Sequence, residues 1–259
     1  AIKVVSWEVV KNHGGGEKIQ EKVEKAQKDV FKKVDEKITE WGIEHNEKGW
    51  RADAYLYCIE AKSPATGYWV PLSPSWIISE KYKVCAVIKP DHKNKRYIID
   101  IITNADEETY SNAKLGTVQN GSLICPETGN QYPIPTIRGD KKINGKVQYG
   151  LRLWENEDVV PRPTDTFQER LYCIRYVEIY YVAQKTIQYQ NKKWIKDEEL
   201  TKEEAESLPD FDDLLSTNKL KKNYRWHYLA PDNNDLKREQ KVLELLNRRF
   251  DEWQSQGFI

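Results

Sequence analysis

One turn phrase is used twice in this chain, and its two copies constrain the fold more than any other feature. Ser63-Pro64-Ala65-Thr66-Gly67-Tyr68-Trp69-Val70-Pro71-Leu72 returns as Cys125-Pro126-Glu127-Thr128-Gly129-Asn130-Gln131-Tyr132-Pro133-Ile134. The shared pattern is a small residue, Pro, any residue, Thr and Gly, followed after three residues by Pro and an aliphatic. Pro presets φ for a turn, and a glycine soon after it accepts the positive φ that closes the turn. A zinc knuckle has the same outline, Cys-Pro-x-Cys-Gly, with two thiolates aimed at one metal. Here the second ligand position holds Thr66 and Thr128, while the first holds Ser63 in one copy and Cys125 in the other. The pattern predicts two zinc-ribbon-like turns, depleted of ligands, that form the halves of one β-rich module. Packing and turn hydrogen bonds then stand where the metal would be.

Around this anchor the periodicities alternate between sheet and helix. Ile2 to Val10 reads as a strand, broken by His13-Gly14-Gly15-Gly16. That triple glycine lacks the ending of a P-loop and the spacing of a dinucleotide fingerprint, so it reads as a connector. Ile19, Val23, Ala26, Val30, Val34, Ile38 and Trp41 recur at helical spacing from Glu17 to Trp41, with Gly42 as the C-cap. Ala54 to Ala61 reads as a strand, and Lys83 to Lys89 with Arg96 to Ile102 as a hairpin. Asn120-Gly121 signals a type I′ turn just before the second copy of the phrase. Gln148 to Trp154 and Arg170 to Ala183 are further strand candidates, and a hairpin about Asn191-Lys192 follows. Thr201 with Glu204 forms a capping-box signature, Phe211 to Leu220 is a short helix or ordered loop, and a last helix runs from about Asp235 to Gln256. The expected architecture is α+β, an antiparallel β-rich core braced by long amphipathic helices near both ends. Its expected parts are residues 1–50, a strand and a helix packed on the core; 51–197, the β-rich domain; and 198–259, a helical segment with a basic-aromatic patch.

Lys plus Arg and Asp plus Glu both total 41, which excludes a protein that coats nucleic acid wholesale; any such contact must come from a local patch. The four cysteines sit singly, as suits a reducing cytoplasm better than a disulfide scaffold, and no apolar run approaches a membrane span. The chain starts inside a strand-like run and contains no Met, which reads as a middle piece of a longer protein.

Candidate chemistry concentrates in three places. Basic residues meet aromatic ones at Lys93–Arg96, at Arg138 with Lys141 and Lys142, and from Lys219 through Lys221, Lys222, Tyr224 and Arg225 to Trp226. Lysine or arginine can neutralise phosphates there while rings meet bases. In the stretch from Tyr149 to Asp165, Arg152, Trp154, Arg162 and the nearby Arg170 could do the same, or the acids Glu155, Glu157 and Asp158 could hold a cation, or the whole could be a solvated acidic turn. Cys58 and Cys125 lie near the repeated turns, but Ala61 and Thr128 occupy their i+3 positions, so neither has a pairing thiol. Four His and no serine or cysteine triad pattern argue against nucleophilic catalysis.

Three phrases go beyond generic pattern. They are Tyr149-Gly-Leu-Arg-Leu-Trp-Glu-Asn-Glu-Asp-Val-Val-Pro-Arg-Pro, continuing to Phe167-Gln-Glu-Arg-Leu-Tyr-Cys-Ile-Arg175; the paired Pro-x-Thr-Gly turns with Gly116-Thr117-Val118; and Glu252-Trp-Gln-Ser-Gln-Gly-Phe-Ile259. Together they resemble the central region of zinc-ribbon-containing adenine-specific DNA methyltransferases, a group often linked to anti-phage gene clusters. The resemblance covers nearly the whole chain, most firmly Ala52 to Arg175 and Tyr224 to Ile259. It implies a parent enzyme that moves a methyl group from S-adenosylmethionine to the exocyclic nitrogen of adenine in duplex DNA. The catalytic Asp/Asn-Pro-Pro-Tyr signature of that family has no counterpart here, since the chain has no Pro-Pro pair. Of the family's zinc ligands only Cys125 is matched. What the resemblance implies for this chain is an accessory domain without catalytic, cofactor or metal residues, which contacts DNA and the rest of the methyltransferase. The alternative is a docking module for other defence proteins.

Overall fold

The computed structural model describes residues 16–155 and 158–257. The strand expected over Ile2 to Val10, most of the glycine connector, and Glu157 lie outside the described residues. The chain divides into two compact units, Ala1–His45 and Asn46–Ile259. The first contains helix α1, Gly16–Trp41. It is closed as expected by Gly42, whose φ of 63° lets its N–H reach back to the carbonyls of Ile38 and Thr39.

The second unit is α+β with antiparallel sheets. Strand β1, Arg51–Lys62, pairs on one side with β2, Trp69–Leu72, across the first repeated turn. Strands β3, Ile77–Ser79, β4, Val84–Asp91, and β5, Arg96–Ile102, make a three-stranded sheet that includes the hairpin expected about Pro90. After helix α2, Glu107–Asn112, come β6, Val118–Gln119, β7, Ser122–Ile124, and β8, Gln131–Pro133. Asn120 and Gly121 turn β6 into β7 with φ of 48° and 73°, the pair of left-handed residues that a type I′ hairpin needs. Nearby, a Cβ added to Gly116 would sit 1.9 Å from the carbonyl oxygen of Ser73. Only glycine allows that approach.

Helix α3, Ile134–Arg138, and the hairpin of β9, Lys141–Ile143, with β10, Lys146–Gln148, lead to an irregular stretch. Residues 149–154, expected as strand, form none. The N–H of Gly150 is held by Asp140 at 3.0 Å, and a Cβ at Gly150 would meet the Arg138 carbonyl at 2.2 Å, so the chain bends against α3 instead of extending a sheet. Strand β11, Phe167–Ala183, follows, pairing with β1 over most of its length. The hairpin of β12, Ile187–Tyr189, with β13, Lys192–Trp194, and strand β14, Glu199–Thr201, follow. Helix α4, Lys202–Glu206, opens with the expected capping box: the Thr201 hydroxyl accepts from the Glu204 N–H, and Glu204 accepts from the Thr201 N–H. After helix α5, Phe211–Ser216, the basic-aromatic segment proves to be strand β15, Leu220–Leu229, paired along ten positions with β11. It therefore belongs to the central sheet. Helix α6, Asn233–Ser255, ends the described chain; it is joined to the sheet where Tyr176 Oη and Arg238 both donate to the buried Asp235.

Candidate nucleic-acid interface

The two repeated turns are built alike and meet. Gly67 N–H bonds to Ser63 O and Gly129 N–H to Cys125 O, each at 2.8 Å; Ser63 and Cys125 in turn donate their N–H to Tyr68 O and Asn130 O. Both glycines have φ near 70°. The Ser63 hydroxyl donates to Cys125 Sγ at 3.3 Å and Thr66 Oγ1 lies 3.9 Å from the same sulfur, so the four ligand positions of a ribbon converge around one buried thiol. Burial pushes the Cys125 thiol up, but hydrogen bonds from the Ser63 and Thr128 side chains and from backbone N–H groups outweigh it and bring it below its ordinary value. Among the described residues no group of three or more His, Cys, Asp or Glu could hold a metal ion. The turn pair is a seam of hydrogen bonds.

The candidate arginines are committed to carboxylates inside the protein. Arg170 donates to Glu60 at 2.8 Å and to the Tyr97 carbonyl at 2.6 Å, while Arg96 reaches the other oxygen of Glu60, which is fully buried. Arg152 grips Asp165 with two bonds of 2.6 and 2.7 Å and also holds Asp158. Arg162 donates to Asp158 at 2.7 Å and to Glu155 at 2.6 Å. Arg152 first, with the N–H of Glu155 second, holds the Asp158 carboxyl well below its usual range; Arg152 likewise lowers Asp165. Glu155, Asp158 and Asp165 are thus tied together by two guanidinium groups. Arg225 is spread over Glu178, at 3.2 Å, and Glu199, at 2.8 and 2.9 Å, with its guanidinium 4.4 Å from the Tyr180 ring centre.

The lysines and rings stand outside. Lys141 and Lys142 are exposed on the β9–β10 hairpin. On β15, Lys221 and Lys222 are exposed, and Tyr224 and Trp226 keep 49% and 40% of their surface. Lys222 Nζ sits 5.6 Å from the Tyr224 ring centre. Among the described residues β15 pairs with β11 alone, so its outer edge is open. Sequence reasoning missed Tyr82, whose ring lies 6.3 Å from both Trp226 and Tyr228. It sits in a turn between short strands, and only the fold brings it to β15. Trp154 is half exposed at the end of an apolar run that includes Leu153, 89% exposed, with the Arg152 guanidinium 5.9 Å from its ring centre.

No family model, no curated protein and no solved structure matches this chain.

Proposed function

We propose that this chain is a non-catalytic, DNA-contacting domain of a cytoplasmic adenine-specific DNA methyltransferase. The methyltransferase part rests on the sequence resemblance. The DNA part rests on one observation: Lys221, Lys222, Tyr224 and Trp226 stand exposed on an open edge strand, where cations can meet phosphates and rings can meet bases. The four free, buried cysteines suit a reducing compartment. S-adenosylmethionine would be held by other parts of the parent. Every strand pairing among the described residues is antiparallel, unlike the crevice at the carboxyl ends of parallel strands where open α/β sheets take ligands of that nucleotide-like kind. Changing Lys221→Gln and Lys222→Gln together tests the reading. Duplex binding should weaken, and the slope of log affinity against log salt should flatten by up to about two phosphate contacts. Unchanged binding would remove β15 from the interface.

A docking module for defence proteins is the second reading, favoured by the exposed apolar run Ile143, Val147, Tyr149, Leu151, Leu153 and Trp154. Under it, Leu153→Glu with Trp154→Glu abolishes co-purification with the rest of the methyltransferase or its neighbours while leaving DNA binding intact. Co-purification that survives the double change would end that reading.

A further inference from the structure

The β15 face carries more than charge. Side chains alternate along a strand, so Lys222, Tyr224, Trp226 and Tyr228 share one face, and Arg225 with His227 share the other. Tyr82 leans over this face, inclined 31° to Trp226 and 47° to Tyr228, and keeps 36% of its surface exposed. Lys81 Nζ lies 4.9 Å from the Tyr82 ring centre, so each end of the aromatic group carries an ammonium over a ring. An open cleft of about 440 Å³ is lined by these rings together with Thr103 and Asn104. Nearby carboxylates are engaged within the protein, Glu107 by Lys83 and both Glu178 and Glu199 by the single Arg225. On the ring-bearing face that leaves Lys81 and Lys222 against Glu80, which shares the turn of Lys81.

Bases in a duplex hide their flat faces in the stack and offer proteins only their groove edges. A row of exposed rings has little to gain from edges, whereas it can replace the neighbours that an unpaired base has lost. We infer that this face takes an unpaired DNA strand, with bases stacked on Trp226, Tyr82 and Tyr224, phosphates on Lys81 and Lys222, and Asn104 and Thr103 placed to meet base edges. This inference rests on the DNA-contact reading above and narrows it to single-stranded substrate.

Fluorescence anisotropy with one labelled DNA strand, alone and annealed to its complement, tests it on the whole chain at two salt concentrations. The single strand should bind at least about tenfold more tightly than the duplex. Trp226→Ala should weaken it about 5- to 100-fold, the scale of one lost base stack, with the salt slope unchanged because no phosphate contact is removed. Trp226→Phe, which keeps a ring and guards against a folding artefact, should retain most of the affinity. Duplex binding as tight as single-strand binding in the wild type, or single-strand binding left unchanged by Trp226→Ala, would overturn the inference while leaving DNA contact in place. Failure of wild type to bind either probe at low salt would overturn both.

Discussion

The interior of the central sheet and its open rim use positive charge in opposite ways. Where β1 meets β11, Arg170 and Arg96 are spent on one fully buried carboxylate, Glu60. On β15, Lys221 and Lys222 project with no ion pair among the described residues, beside rings that are half exposed. The difference follows from the side chains. A planar guanidinium holds two carboxylate oxygens at once and loses hydration cheaply, whereas an ammonium is strongly hydrated and is best left in water. Counting cations along the sequence therefore measures little. What distinguishes a binding surface from a brace is whether the fold has already supplied the anion.

The largest effect should come from breaking the interior half of that contrast. Glu60→Ala strips two arginines of their shared partner. Both are partly exposed and can rehydrate, so the cost should fall near the low end for a broken buried pair, about 3 kcal/mol, or a Tm lower by roughly 8 °C. A thermal melt within a degree of wild type would mean that the buried pair is no brace at all.

Rebuilding the seam as a metal site should also give a large, qualitative signal. Four sulfurs around one zinc at about 2.3 Å stand roughly 3.8 Å apart, and the Ser63 and Thr66 oxygens already lie 3.3 and 3.9 Å from Cys125 Sγ. The variant carrying Ser63→Cys, Thr66→Cys and Thr128→Cys should take up cobalt with thiolate charge-transfer bands that wild type lacks. Absence of those bands would mean that the turns do not aim at one point.

A smaller effect is expected from acid at the Arg152 cage. The folded-state carboxyls of Asp158 and Asp165 are lowered, so the cage stabilises its loop above the ordinary carboxylate value near 3.9. That contribution is lost as pH falls from there toward the folded value. Hydrogen exchange over residues 149–155 should speed up relative to the sheet at about pH 3. Asp158→Asn should give part of that acceleration already at neutral pH. The smallest effect belongs to the rim: Lys221→Gln with Lys222→Gln should leave the melting temperature nearly unchanged, within about 0.5 kcal/mol of stability, even as DNA binding falls. A clear loss of stability would erase the contrast between rim and interior.

Local chemistry was legible in the sequence; long-range partnership was not. The left-handed pair Asn120-Gly121, the Thr201–Glu204 capping box and the Gly42 helix stop each act through neighbours a few residues away, and each stands where the pattern put it. The repeated turns were visible because Pro and Gly write their backbone conformation into the sequence. That Ser63 would donate to Cys125 was not written there. The apolar alternation of Tyr149, Leu151 and Leu153 looked like a strand because alternation carries no record of whether an edge is available to pair with; Gly150 pressed against α3 removes that option. Likewise, the basic run from Lys219 was readable as a patch but not as an edge strand, since its partner β11 lies some forty positions earlier. Arg170 and Glu60, 110 positions apart, could not have been joined by any local rule.

The seam between the two turns also bears on how long the fold lasts once made. Ser63 and Cys125 are 62 positions apart, and the β4–β5 hairpin that lies between them closes through far nearer contacts. Contacts between distant positions are rewarded only after the intervening chain has been ordered, so the seam should close late, after the rate-limiting step. Interactions absent from that step leave the folding rate alone and slow unfolding. Cys125→Val, which takes the acceptor from the buried Ser63 hydroxyl, should steepen only the loss of structure: a faster unfolding limb in stopped-flow measurements over an unmoved folding limb. The hydroxyl-and-thiol clasp would then act as a latch, setting the lifetime of the native state and not the speed of its assembly.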